Sequence, residues 1–203
     1  MPGCCPDLRL DRIARHVGRT SIGVSVNGRP FDASDVKGYE LEHAQFVLGQ
    51  GPVADRTDSD VSDETALQRW PSLSEDLEAR SVRSVLSFAL ALDERWPFGT
   101  FTLYRYQPAR LTVRQTCGLR TAVSDTSLTV ANHVMANRRH HDVRCGLHRF
   151  DLLDQAIGLV MDDLGVGPDV ATARIRSHSF ANECPLDHLV VDLIGRRVRL
   201  APH

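Results

Sequence analysis

Apolar residues recur at alternating spacings of three and four in the last quarter of the chain, where Phe150, Leu153, Ile157, Val160 and Leu164 form one stripe and Gly165 follows it. This periodicity predicts an amphipathic helix ended by glycine. A second helix is predicted to open at Gly167 and Pro168 and to carry Ala171, Ile175 and His178 on one face. Proline suits that position because the first helical amide has no intrahelical partner to lose. Pro185 opens a third helix, with Leu186, Leu189, Val190, Leu193 and Ile194 as its core face and Gly195 at its end. Three short helices this close together form a small bundle. Leu152, Ala156 and Leu159 give the first helix a second apolar side, which calls for another cover and predicts a homodimer.

The first part of the chain has a mixed pattern. Leu8 to Val17 has the spacing of a short amphipathic helix, and Ser21 to Val26 alternates small and apolar residues as a strand does before the turn at Asn27-Gly28. Val85 to Leu92 and Phe98 to Tyr106 are apolar and aromatic. The short Asp93 to Pro97 segment between them is suited to a hairpin, and Leu111 to Thr116 is expected to continue the sheet. A helix is expected over Ser72 to Arg80, while Gly49 to Glu64 is polar and acidic. The fold class that follows is α+β, with helices packed on an antiparallel sheet.

From Ser127 to about Arg149 the pattern predicts one connecting helix, with Ala131, Val134, Arg138, His141, Cys145, His148 and Leu152 on a heptad seam of coiled-coil type. The domain boundaries expected are therefore 1–125 for a sensor, 126–147 for the connecting helix and 148–203 for the helical module.

Composition narrows the classes. The 203 residues have ordinary apolar content and a net charge of −2, so a nucleic-acid role must rest on a local basic patch. Lys37 is the only lysine, and arginine supplies nearly all the positive charge. No apolar run approaches the roughly 20 residues that cross a bilayer, and the N-terminus has no hydrophobic signal core, which predicts a cytoplasmic protein without membrane partners. Cys4, Cys5, Cys117, Cys145 and Cys184 are odd in number and lack paired metal spacing, as expected of free thiols in a reducing compartment.

Motifs for chemistry are few. Gly49-Gln50-Gly51-Pro52-Val53-Ala54 fits a loose dinucleotide fingerprint, but the residues before it look helical and Pro52 interrupts it, so a structural turn is expected. His141, Cys145 and His148 share a helical face suited to zinc, with partly buried seam residues as the plainer reading, and no metal is expected. Asp55, Asp58, Asp60, Asp63 and Glu64 lack the glycine and spacing of a calcium loop. Asp125 with His133, and Ser87 with any histidine, have no catalytic motif around them. Neither an enzyme nor a cofactor is expected. Trp70, Phe88 and Tyr104 are the candidate ligand-lining aromatics of the sensor.

The string DQAIGLVMDDLG from Asp154 to Gly165, followed by Pro168, Asp169, Ala171, Arg174, Arg176, Ser179, Leu186 and Leu193, resembles an ANTAR module, the RNA-binding antiterminator domain of bacterial regulators. QFVLGQGP (Gln45 to Pro52), RWPSLSEDL (Arg69 to Leu77), SVRSVLSFAL (Ser81 to Leu90) and FTLYRYQP (Phe101 to Pro108) are similar, in order and spacing, to the GAF half of actinobacterial GAF–ANTAR proteins. The resemblance implies a GAF-like sensor with an unidentified small-molecule ligand, and a dimer presenting two modules to paired RNA stem-loops in transcription antitermination. It implies phosphate contacts from Arg174, Arg176, Arg196 and Arg197, with Ser177 and Ser179 near the loop bases. Val53 stands where many relatives have cysteine. Ile157, Thr172, Glu183 and Pro185 also depart from the family, each removing a charge, a donor or a stacking surface. The alternative expectation is a dimeric sensor or interaction protein whose module no longer binds RNA. A helix-turn-helix for DNA fares worse, since Asp187 and Asp192 would face phosphate.

Overall fold

The computed structural model describes residues 6–55, 59–61, 69–93, 97–107, 111–139 and 147–201. The chain divides into two compact units, Met1–Asp142 and Val143–His203.

In the first unit, α1 (Leu10–Val17) leads into β1 (Thr20–Val26) and β2 (Arg29–Ala33), followed by α2 (Val36–Leu48), the short α3 (Pro52–Asp55) and β3 (Ser59–Val61). Then come α4 (Pro71–Ala79), β4 (Ser84–Ala91), β5 (Pro97–Arg105) and the long α5 (Val113–Arg139). The strands form one antiparallel sheet in the order β2-β1-β5-β4-β3, so the unit is α+β as expected. Asn27 and Gly28 both have positive φ, 52° and 77°, which matches the right-handed twist of the β1–β2 hairpin. Helix α2 is capped by the Asp35 carboxylate, which accepts from the Gly38 amide at 2.8 Å.

Several expectations are corrected by the structure. Leu111 to Thr116 does not extend the sheet: α5 begins at Val113, and Thr112 and Gln115 form a reciprocal capping box. The Gln115 side chain accepts from the Thr112 amide at 2.9 Å, and the Thr112 hydroxyl accepts from the Gln115 amide at 3.3 Å. The boundary drawn at residue 125 therefore falls inside one helix, because α5 starts well before Ser127 and packs on β4. Of the residues assigned to a coiled-coil seam, Ala131 is buried and Val134 packs against the core of this unit. Val113, Leu128 and Met135 are exposed apolar positions of α5 instead, the last two seven residues apart. Arg138, His141, Cys145 and His148 lie outside the described side chains. Helix α4 opens on Pro71, one residue before the expected start, and the predicted hairpin strands are present as β4 and β5.

The sheet has two different faces. Ile22, Val24, Leu90, Phe101 and Leu103 meet Leu10, Ala14, Leu119 and Val130 of α1 and α5 in one apolar layer. On the other face Leu41, Trp70, Leu73, Leu77, Val85 and Tyr104 make a second, smaller cluster with α2 and α4.

In the second unit, α6 (Leu147–Leu164), α7 (Pro168–Ala181) and α8 (Leu186–Ile194) all contact one another. Their boundaries follow the glycines and prolines of the sequence: Gly165 has φ 64°, Pro168 is the first residue of α7, and Gly195 caps α8. Leu153, Ile157 and Val160 of α6 are buried, as are Ala171 and Ile175 of α7 and Leu186, Leu189 and Leu193 of α8. The bundle itself buries Ala156 fully and half-covers Leu152 and Leu159, so these residues do not by themselves require a second subunit.

Candidate ligand site and candidate nucleic-acid interface

The α2-facing side of the sheet carries an unusual density of hydroxyls. Alternation along the strands puts Ser21, Gly23 and Ser25 of β1, Thr100, Thr102 and Tyr104 of β5, and Val85, Ser87 and Ala89 of β4 on this face. The register places Ser25 opposite Thr100, and Thr102 between Gly23 and Ser87. Ser25, Ser87, Thr100 and Thr102 are thus neighbours on three strands, each at most 3% exposed.

Helix α2 lies close over this patch because Gly23 has no side chain. A Cβ there would stand 2.1 Å from the Glu42 Cγ. Glu42 and Gln45, one turn apart on α2, are both buried. The Ser25 hydroxyl donates to Glu42 Oε2, and the Tyr104 hydroxyl donates to Glu42 Oε1 at 2.7 Å. Gln45 donates to the Tyr104 oxygen at 2.5 Å and accepts from the Val53 amide at 3.0 Å. This second bond ties down the Gly49 to Val53 turn, where Gly51 (φ 108°) allows Gln45 and Leu73 to approach closer than a Cβ would permit. The turn follows a helix, not a strand, so it does not form a dinucleotide site of the strand-turn-helix kind.

Burial raises the Glu42 carboxyl above the usual carboxylate range, against the opposing hydrogen bonds from Ser25 and Tyr104. The Tyr104 phenol is pushed well above its ordinary value, first by burial and then by Glu42. The hydroxyls of Ser87, Thr100 and Thr102 are buried without a hydrogen-bond partner. Such groups are rare in native interiors, because each costs about 1–3 kcal/mol when left unpaired.

Of the three aromatics expected to line a ligand site, Tyr104 belongs to this network. Trp70 is a core residue of the same side, with the Arg69 guanidinium over its ring at 5.6 Å. Phe88 points to the opposite face, where it packs against the α1–α5 layer. The three therefore do not converge. The polar residues that do converge were missed. Their signal is the alternation Thr100-Phe101-Thr102-Leu103-Tyr104, which by itself looks like an ordinary half-solvated strand.

In the helical unit, Arg174 and Arg176 are half-buried on α7 and Ser177 is exposed between them and the end of the helix. Ser179 faces inward: its hydroxyl donates to the Cys184 carbonyl at 2.7 Å and holds the α7–α8 turn. Arg196 pairs with Asp163 through both carboxylate oxygens, at 2.7 and 2.5 Å, and Arg197 donates to Asp192 at 2.6 Å. The Arg196 pair holds the Asp163 carboxyl below the usual range. Phe180, 64% exposed and three residues after Ser177, is an outward aromatic that sequence periodicity did not single out.

Elsewhere in the first unit, a groove of about 380 Å3 between α1 and α5 is lined by Arg12, Thr121, Asp125 and Thr129, all exposed. Among the described residues no group of histidine, cysteine and acidic side chains has the arrangement of a metal site. Of the acidic stretch, Asp55 pairs with Arg69 at 3.1 Å; Asp58, Asp63 and Glu64 lie outside the described residues, as does the Asp60 side chain. Among the described residues no helix is long and apolar enough to cross a membrane.

No protein-family model matches the chain, and no curated protein matches it.

Proposed function

We propose that the chain is a ligand-responsive transcription antitermination regulator of the GAF–ANTAR kind, with a small molecule read by the polar sheet face and RNA stem-loops bound by the three-helix unit. The observation that carries the sensor half is the group of buried, unpartnered hydroxyls of Ser87, Thr100 and Thr102 beside the Glu42–Gln45–Tyr104 network. A ligand that bonds to them removes a standing cost of the free fold. The sheet then couples that face to α5, which packs on β4 from the other side. In this reading a ligand shifts the population between arrangements of α5 in a homodimer, with Leu128 and Met135 as its outward apolar contacts.

For the output, α7 offers Arg174 and Arg176 for phosphate and Ser177 with Phe180 for exposed bases. Arg196 and Arg197 join them only by leaving Asp163 and Asp192, which lowers the net electrostatic gain. The test is equilibrium binding of a tandem stem-loop RNA across a salt series. Loss of affinity and a shallower salt slope in Arg174→Ala, together with failure of a loop-scrambled RNA, is the expected result.

One observation favours a second reading, a dimeric sensor whose helical unit docks protein. Phe180 is exposed in a unit whose Arg196 and Arg197 are already paired with acids, with Val170 and Val191 also 47% exposed. Salt-independent failure to bind any stem-loop would select it.

A further inference from the structure

The chemistry of the polar sheet face also restricts what it binds, an inference that rests on the sensor reading above. Among the described residues, the buried polar side chains of this face are hydroxyls, one amide and one carboxyl; none is lysine, arginine or histidine. Both oxygens of Glu42 are engaged, by Ser25 and by Tyr104. Gln45 is held through its oxygen by Val53 and through its nitrogen by Tyr104. What remains to be satisfied is Ser87, Thr100 and Thr102, hydroxyls that both donate and accept.

We propose that this face takes a neutral small molecule bearing hydroxyl or amide groups, and that it rejects phosphates and carboxylates. An anion placed there would leave water with no counter-charge among these side chains, and would lie beside the Glu42 carboxyl. A cation would find the one carboxyl already saturated. A neutral polyol, nucleobase or nucleoside meets the rotatable hydroxyls in either bonding sense without transferring charge to the interior.

Matched pairs that differ only in a phosphate isolate the claim: adenosine against adenosine 5′-monophosphate, and ribose against ribose 5-phosphate. Calorimetric titration and thermal melting of the full chain are run with each pair, on wild type, Ser87→Ala and Thr100→Val. Both variants remove an unpartnered hydroxyl, so both are expected to fold. The expected result is binding of the neutral member of at least one pair, about tenfold or more tighter than its phosphate, and weakened about three- to tenfold by either variant, the size of one lost hydrogen bond. Equal or tighter binding of the phosphate member, with the same dependence on Ser87 and Thr100, overturns the neutral-ligand proposal and keeps the sensor site. Neutral binding that neither variant affects lies elsewhere and overturns the proposal. No binding at millimolar probe, with both variants melting higher than wild type, overturns the proposal and the sensor reading together.

Discussion

Along β5, Phe101 and Leu103 turn toward α1 and α5, while Thr100, Thr102 and Tyr104 turn toward α2, so adjacent residues of one strand belong to an apolar layer and a hydroxyl-lined one. The apolar side is covered by close side-chain packing and needs nothing more. The α2 side holds buried hydroxyls that lack partners, a cost that a fold selected for stability alone would remove by threonine-to-valine exchange. Their difference teaches that equal burial need not mean equal contribution to stability: one face holds the unit together, and the other keeps bonding capacity in reserve.

The comparison breaks most sharply at Leu103, which is fully buried. Leu103→Ala should destabilise the protein by about 2–5 kcal/mol, read as a lower urea midpoint, through lost transfer energy and a residual cavity. Gly23→Ala tests the close approach of α2 and should cost about 1–3 kcal/mol, since the Glu42 Cγ would stand 2.1 Å from the new methyl group. A loss indistinguishable from zero would mean that α2 is not held against the sheet as described.

A smaller and pH-dependent effect is expected at Glu42. Its carboxyl is raised by burial above the unfolded value, so the stability linked to its proton is fully present below the ordinary glutamate range and is lost as pH rises through the folded value. Denaturation midpoints of wild type should therefore fall with rising pH relative to those of Glu42→Gln. Parallel pH profiles would count against that assignment. The smallest effect belongs to Thr100→Val, which should lie within about 1 kcal/mol of wild type and in the stabilising direction, because it removes an unpaired hydroxyl at nearly constant shape. A loss comparable with that of Leu103→Ala would erase the distinction between the two faces.

Much of the fold was legible in the sequence where local physics decides it. Asn27-Gly28 accepts the positive φ values of a tight hairpin, Pro168 and Gly165 mark helix ends, and the three- and four-residue spacing of α6 reports its buried side. The start of α5 was also written there, in the capping pair Thr112 and Gln115, although the apolar character of Leu111 and Val113 pointed to a strand. The candidate sites were less legible. Phe88 and Tyr104 look equivalent as aromatics, yet their strand registers send them to opposite faces. Ser179 reads like a surface serine until the α7–α8 turn brings the Cys184 carbonyl to it.

By itself the sequence determined α1, β1, the β4–β5 hairpin, the α+β class of the first part and the helical character of the last. It did so because capping, turn geometry and periodic burial are set by residues within a few positions of each other. Tertiary structure alone decided which residues share a site. Ser25, Glu42, Ser87, Thr100 and Tyr104 come from four elements, and their proximity follows from strand pairing and the seat of α2 at Gly23. The availability of the arginines was decided the same way. Arg196 is 33 positions from Asp163, and the contact of α6 with α8 brings those two helices together.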